Sequence, residues 1–386
     1  MNMKRLFSDL WWDIKNLYPK RSIFAVSCFL ISIVAAISFY LCRMNLYDQQ
    51  AAQRWSEQER YTQLSCFYPV QDVNDEYQFL SIHHQIVKEL ENAAIDYEGH
   101  GKSFVDAYSV LGEVTMKTSL GSVTVDTYGV SDDFFFIHPV QLSYGAYFDD
   151  MMLMDDGVIL DEGTAWKLYG SSDVIGMPVE INGMNYYIRG VVKSQRGHFY
   201  DAAGLEKSCC FIPFSMFDEI AVKTGGYTYE AIMPEPVEGF AKEIFTRVIA
   251  DTDGRLEIVE NSVRFSFESM KNVLLDFGIR SMSQKGIIFP YWENVARAVE
   301  DVCSVIWLIQ VITGLVAILF FIVFVYIEWK KHKPKVKDVM YFLSDKKDCF
   351  IDAIHNRRNK CNIEKNKGRK FKRKEKEGVK NEKKVD

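Results

Sequence analysis

Two long apolar runs dominate the pattern of hydrophobic and polar positions. Residues 23–42 are 20 positions without a charge, and residues 302–327 are 26. At about 1.5 Å of rise per residue, roughly 20 residues cross the hydrocarbon core of a bilayer, so each run predicts a spanning helix. Between them the pattern breaks into short pieces. Residues 84–95 place Ile86, Val87, Leu90 and Ala94 at helical spacing, and Phe104, Val105, Tyr108 and Val110 follow as a strand. Residues 157–192 read as a buried strand at 158–160, then a helix that Asp161 caps and Gly170 stops. A hairpin follows, turning on Asn182-Gly183. Further on, the spacing predicts strands at 227–233 and 256–259 and helices at 239–248 and 265–277. This alternation is that of an α+β domain. Pro290 opens a segment with no breaker before Gly314, so the second apolar helix is expected to leave the domain as one rod.

The stretch "YEGHGKSF" at 97–104 ends in the Gly-Lys-Ser that closes a phosphate-binding loop. That loop needs a strand before it and a helix after it, with a further Gly where this chain has Asp96. Here the order is helix, turn, strand. Gly99 and Gly101 are read as helix terminators and Lys102 as a solvated loop residue, so any ATP chemistry falls to another chain.

Charge sets the expected orientation. Residues 1–22 carry a net +3 and residues 330–386 a net +12, whereas residues 43–329 carry –21 within a total of –6. Lys and Arg beside spanning helices stay in the cytoplasm, so both termini are expected there and the acidic domain outside. Trp11, Trp12 and Tyr18 suit an interfacial anchor, and the flank of the first run lacks a small-residue cleavage site. Of eight cysteines only Cys66, Cys209 and Cys210 face the oxidising side, and neighbours in a strand point to opposite faces. At most one of the pair could meet Cys66; the simpler expectation is three small buried residues.

The stretch "GVILDEGTAWKLYGSSDVIGMPVEINGMNYYIRGVV" at 157–192 resembles the periplasmic core domain of MacB/FtsX-type ABC transporter permeases. Their pattern is roughly L-N-E-x-x-A-x-x-L-F-G-x-x-D-P-I-G-K-x-[VI]-x-[IV]-x-G-x-x-Y-x-V-x-G-V-V, which Leu160, Glu162, Ala165, Gly170, Asp173, Gly176, Gly183, Tyr187 and Gly190 follow in register. "TYGVSDDFFFIHPVQLSYGAYFDD" upstream and "CCFIPFSMFDEI" downstream are similar to adjoining segments, with Ala146 where Arg is common. The resemblance implies an α+β extracytoplasmic domain at 43–300, set between transmembrane helices at 23–42 and 302–327. A cytoplasmic or interfacial segment at 1–22 precedes them. Members usually carry two more spanning helices, absent from this sequence, which would make it a split, short or truncated permease.

The implied function is a non-enzymatic, permease-type subunit of an ABC exporter or related complex in the cell membrane. Its partners would be an ABC ATP-binding subunit, a second permease subunit or another copy, and membrane lipid. Neither metal, cofactor nor nucleic acid is called for: there is no His-Glu-x-x-His pair and no Gly-x-Ser-x-Gly elbow. The competing readings are a stand-alone two-span binding or signalling module and a permease remnant. Two groups of site residues are expected. Val339, Phe342, Leu343, Phe350 and Ile354 form an apolar stripe within 328–354, where the resembled family contacts its ATPase, although the neighbouring lysines also suit lipid. Thr313, Gly314 and Ala317 offer a small-residue face for helix packing. Residues 355–386 read as a basic disordered tail near anionic lipid.

Overall fold

The computed structural model describes residues 19–56, 59–95, 102–148, 156–194, 197–200, 208–251, 253–280 and 285–331. It divides into a unit ending at Leu315 and a second beginning at Val316, whose described part is helix to Lys331.

Helix α1, Pro19–Met44, is one of two helices among the described residues long and apolar enough to cross a membrane. Short α2, Ala51–Trp55, leads into strand β1, Tyr61–Phe67, and α3 spans Glu76–Asn92. In α3 the Asp75 side chain accepts from the Gln78 N–H; Ile86 and Leu90 are buried as the spacing predicts, joined by Phe79 from an earlier turn, whereas Val87 is partly buried and Ala94 lies past the helix end at φ +52°. Strands β2, Val105–Thr118, and β3, Gly121–Val130, pair along their length. Next come α4, Phe134–Ile137, and the strands β4, Leu142–Gly145, and β5, Gly157–Asp161. Helix α5, Glu162–Tyr169, follows, and then β6, Pro178–Ile181, and β7, Met184–Val192. The domain closes with β8, Cys209–Pro213, β9, Val222–Pro234, α6, Phe240–Ile249, and β10, Glu257–Glu260. Helices α7, Phe267–Leu275, and α8, Phe277–Arg280, lead to α9, a continuous helix of 41 residues from Tyr291 to Lys331. The fold is thus a mixed α+β domain between two apolar helices.

The strands form one sheet in the order β10-β1-β9-β2-β3-β8-β5-β7-β4, with β6 pairing both β2 and β7. Through β6 the pairings from β2 to β7 close into a circuit, which leaves the short strand β4, paired to β7 alone, as the edge on that side. Among the described residues only β3/β8 and β5/β7 are parallel. The other half ends at β10, next to β1, in antiparallel register with Leu64 opposite Glu260.

Local chemistry explains the elements around the motif region. Asp161 is buried and accepts from the N–H groups of Gly163 (2.9 Å), Thr164 (3.0 Å) and Cys209 (3.1 Å), capping α5 and tying β5 to β8. Gly170 ends α5 at φ +69°, and Asn182 and Gly183 make the β6–β7 turn at φ +51° and +82°. Positive φ at both turn positions matches the twist of the strands they join. Cys209 and Cys210 point into different apolar clusters, and Cys66 joins Cys210's; all three are free and buried.

Candidate functional site

The chain leaves α1 through Leu46 and a turn over Tyr47–Gln49, then enters the sheet at β1. It leaves the sheet at β10 through a turn over Asn261–Val263 and reaches α9 by way of α7 and α8. Since β1 and β10 are neighbours, both connections depart from one sheet edge. Leu46, Met270, Val273, Val295, Val299 and Cys303 pack there as a small apolar cluster of their own.

Beside that cluster runs a chain of buried polar groups. His138, just after α4, is fully enclosed. Its Nδ1 lies 3.2 Å from Asp48 Oδ1, in the turn after α1, and its Nε2 meets Glu230 Oε2 on β9. The Ser65 hydroxyl of β1 donates to the other Glu230 oxygen, and Asn261 Nδ2 donates to Ser65 Oγ at 2.7 Å. Arg264 then donates from Nε to Asn261 Oδ1 at 2.8 Å, from Nη1 to Glu300 Oε1 at 3.0 Å, and from Nη2 to Glu293. Glu293 and Glu300 belong to α9, where Arg297 Nε reaches Glu293 Oε1 at 2.8 Å and Arg280 holds Glu300 and Asp301. Contiguous hydrogen bonds therefore join the first turn after α1, the sheet and the base of α9.

The electrostatics favour the charged forms of His138 and Arg264. Burial alone disfavours the imidazolium of His138, but the carboxylates of Glu230 and Asp48 outweigh it and raise its pKa to about 9. Burial likewise opposes the Arg264 cation, and Glu293 and Glu300 reverse the effect, so its pKa stands above the ordinary value. Removing one member of such a set strands an opposite charge in a low-dielectric interior. Four of its carboxylates, Asp48, Glu230, Glu293 and Glu300, are buried against these partners. What it can do is hold the two helix connections in fixed geometry against the sheet.

Of the residues expected from sequence, Gly314 faces α1: a Cβ there would lie 3.2 Å from Ser32 Oγ, which itself donates to the Gln310 carbonyl at 3.3 Å. The neighbour at Gly314 is thus in the same chain. Thr313 turns its hydroxyl back to the Ile309 carbonyl of its own helix at 2.7 Å, and Ala317 belongs to the second unit. Val339, Phe342, Leu343, Phe350 and Ile354 lie outside the described residues. Lys102 is the exposed loop residue expected, with Nζ 2.7 Å from Asp133 Oδ2 in a surface ion pair. A helix precedes it and β2 follows, the reverse of a phosphate loop. The residues of the ion network were not foreseen. One signal was present: Glu293, Arg297 and Glu300, spaced four and three apart on one helix face just before a spanning run.

Residues 83–247 match the family described as MacB-like periplasmic core domain. Among solved structures, the periplasmic region of MacB from Actinobacillus actinomycetemcomitans is 14% identical with a TM-score of 0.37, covering 57% of this chain and 94% of that one. The extracellular domain of the noncanonic ABC-type transporter YknZ from Gram-positive bacteria is 14% identical with a TM-score of 0.34, covering 51% and 99%. No curated protein matches the chain. The matched residues run from within α3 to within α6 and hold β2 to β9 of the sheet. The chain thus carries a MacB-like periplasmic core domain over residues 83–247.

Proposed function

We propose that this chain is the permease-type membrane subunit of an ABC exporter or a related complex, passing motion driven by a separate ATP-binding subunit to its outer domain. The observation that carries this reading is the bolting of a MacB-like domain, through Arg264, Glu293 and Glu300, onto the base of an uninterrupted apolar helix. A helix so fixed moves its domain when it moves. The excess of Lys and Arg in residues 1–22 and 330–386 puts both termini in the cytoplasm. There the stripe Val339, Phe342, Leu343, Phe350 and Ile354 docks in a groove of the ATPase as an amphipathic helix, and the basic tail beyond it faces anionic lipid.

The test is purification of the chain from native membranes. An ATP-binding subunit should come with it in near-equal amount, and replacing both Phe342 and Phe350 by Asp should remove that subunit without lowering membrane insertion, since a carboxylate in an apolar groove is costly. Recovery of an outer partner with no ATPase would overturn the proposal in favour of a stand-alone module. Retention of the ATPase by the double variant, with loss of liposome affinity, would assign the stripe to lipid.

A further inference from the structure

Helices α7 and α8 leave large apolar side chains uncovered. Phe267 is 67% exposed, Leu275 70%, Phe277 52% and Ile279 51%, an unusual density for a 14-residue stretch of an acidic, water-facing domain. Their position explains it. The Phe267 ring meets Trp307 edge-on at 5.0 Å, and Trp307 sits inside the charge-free run of α9. Phe265, two residues earlier, meets Phe39 of α1 at 6.0 Å. The start of α7 is therefore wedged against the apolar parts of both candidate spans. The far end is pinned higher: Arg280 holds Glu300 and Asp301, the last charges before the run at 302–327 begins. From Trp307 back to Glu300, α9 rises about 10 Å, the thickness of the zone in which interfacial helices lie. We infer that α7 and α8 form an interfacial membrane element, burying Phe267, Leu275, Phe277 and Ile279 among lipid acyl chains at the outer surface of the bilayer.

Lipid is the occupant because the exposed face is continuous with the charge-free run of α9, the candidate span, whose Val302, Val305 and Leu308 are likewise exposed beside Trp307. Lys271, on the same side of α7 between Phe267 and Leu275, can extend its ammonium to the headgroups while its stem stays with the rings. The inference goes beyond the exporter reading and requires only that the two apolar helices span.

Site-specific photo-crosslinking of the full chain in phosphatidylethanolamine/phosphatidylglycerol vesicles tests it. A benzophenone side chain would replace Leu275 or Phe277, with Leu315 as a spanning control and exposed Trp166 as a domain control. Lipid adducts at 275 and 277 should fall within about two-fold of position 315 and at least about five-fold above position 166. Adducts no higher than at 166, or photoproducts joining two copies of the chain, would overturn the inference. Loss of lipid adducts at 315 as well would sink the spanning assignment on which it rests, and leaves the ATPase purification as a separate question.

Discussion

His138 Nδ1 lies 3.2 Å from Asp48 Oδ1, so the residue four positions after α1 is tied to the inside of the sheet domain. Such a contact makes stability depend on pH, and the sign follows from the shift. The folded-state pKa of His138 is raised to about 9, against roughly 6.5 in an unfolded chain. Its contribution is fully present below about pH 6.5 and is lost as pH rises through about 9. Thermal unfolding of the detergent-solubilised chain should shift to lower temperature across that window. His138→Gln should flatten the fall while lowering stability at neutral pH, because Asp48 and Glu230 lose their buried cation. An unfolding temperature that does not change with pH in the parent chain would contradict the assignment.

Arg264 uses three nitrogens on three partners, and only a guanidinium has that fork. Arg264→Met should cost about 3–5 kcal/mol, the usual penalty for breaking a buried ion pair from one side. Arg264→Lys should fall between, at about 1–3 kcal/mol, since one ammonium cannot serve Asn261, Glu293 and Glu300 together. Chemical denaturation monitored by tryptophan fluorescence ranks them, and equal midpoints for the parent and the Met variant would show the network to be energetically idle.

The approach of Gly314 to Ser32 predicts a crosslink. Ser32→Cys combined with Gly314→Cys should form a disulfide within one chain under mild oxidation, seen as a mobility shift without a dimer band. Gly314→Leu should destabilise the helix pair by about 1–3 kcal/mol through overpacking. Dimer bands from the double-cysteine chain would instead place this face against another subunit.

Membrane orientation is checked by thiol labelling in intact cells with a reagent that does not cross bilayers. A cysteine at exposed Asn182 should react and one at Asn381 should not, while buried Cys66, Cys209 and Cys210 contribute little background. Labelling at position 381 would invert the proposed layout.

What could be read in advance was what neighbours in sequence decide. The Asn182-Gly183 turn needs two adjacent residues at positive φ, and the cap of α5 needs an Asp placed just before it. Both lie within a single short stretch, and both formed as expected. The ion network depends on meetings between distant positions: Ser65 with Glu230 is 165 residues apart, and Asn261 with Ser65 is 196. Each of these residues, taken alone, is an ordinary polar side chain in a strand or turn. Their meaning comes only from the sheet order that sets β10, β1 and β9 side by side. Gly314 was legible as a small residue suited to close packing, but the identity of its neighbour depended on the same long-range return of the chain.

The pairing of β1 with β10 has an architectural consequence. With Leu64 directly opposite Glu260, the path out of the sheet begins about 5 Å from the path in. Seen from the bilayer, everything between those two residues is a loop whose ends touch, the geometry in which whole domains are exchanged or excised without disturbing their host. Beneath it α1 and the part of α9 up to Leu315 meet as the two legs of a hairpin where Ser32 donates to the Gln310 carbonyl. The outer domain is in that sense a cassette, free to diverge in what it meets while the hairpin beneath it stays the same.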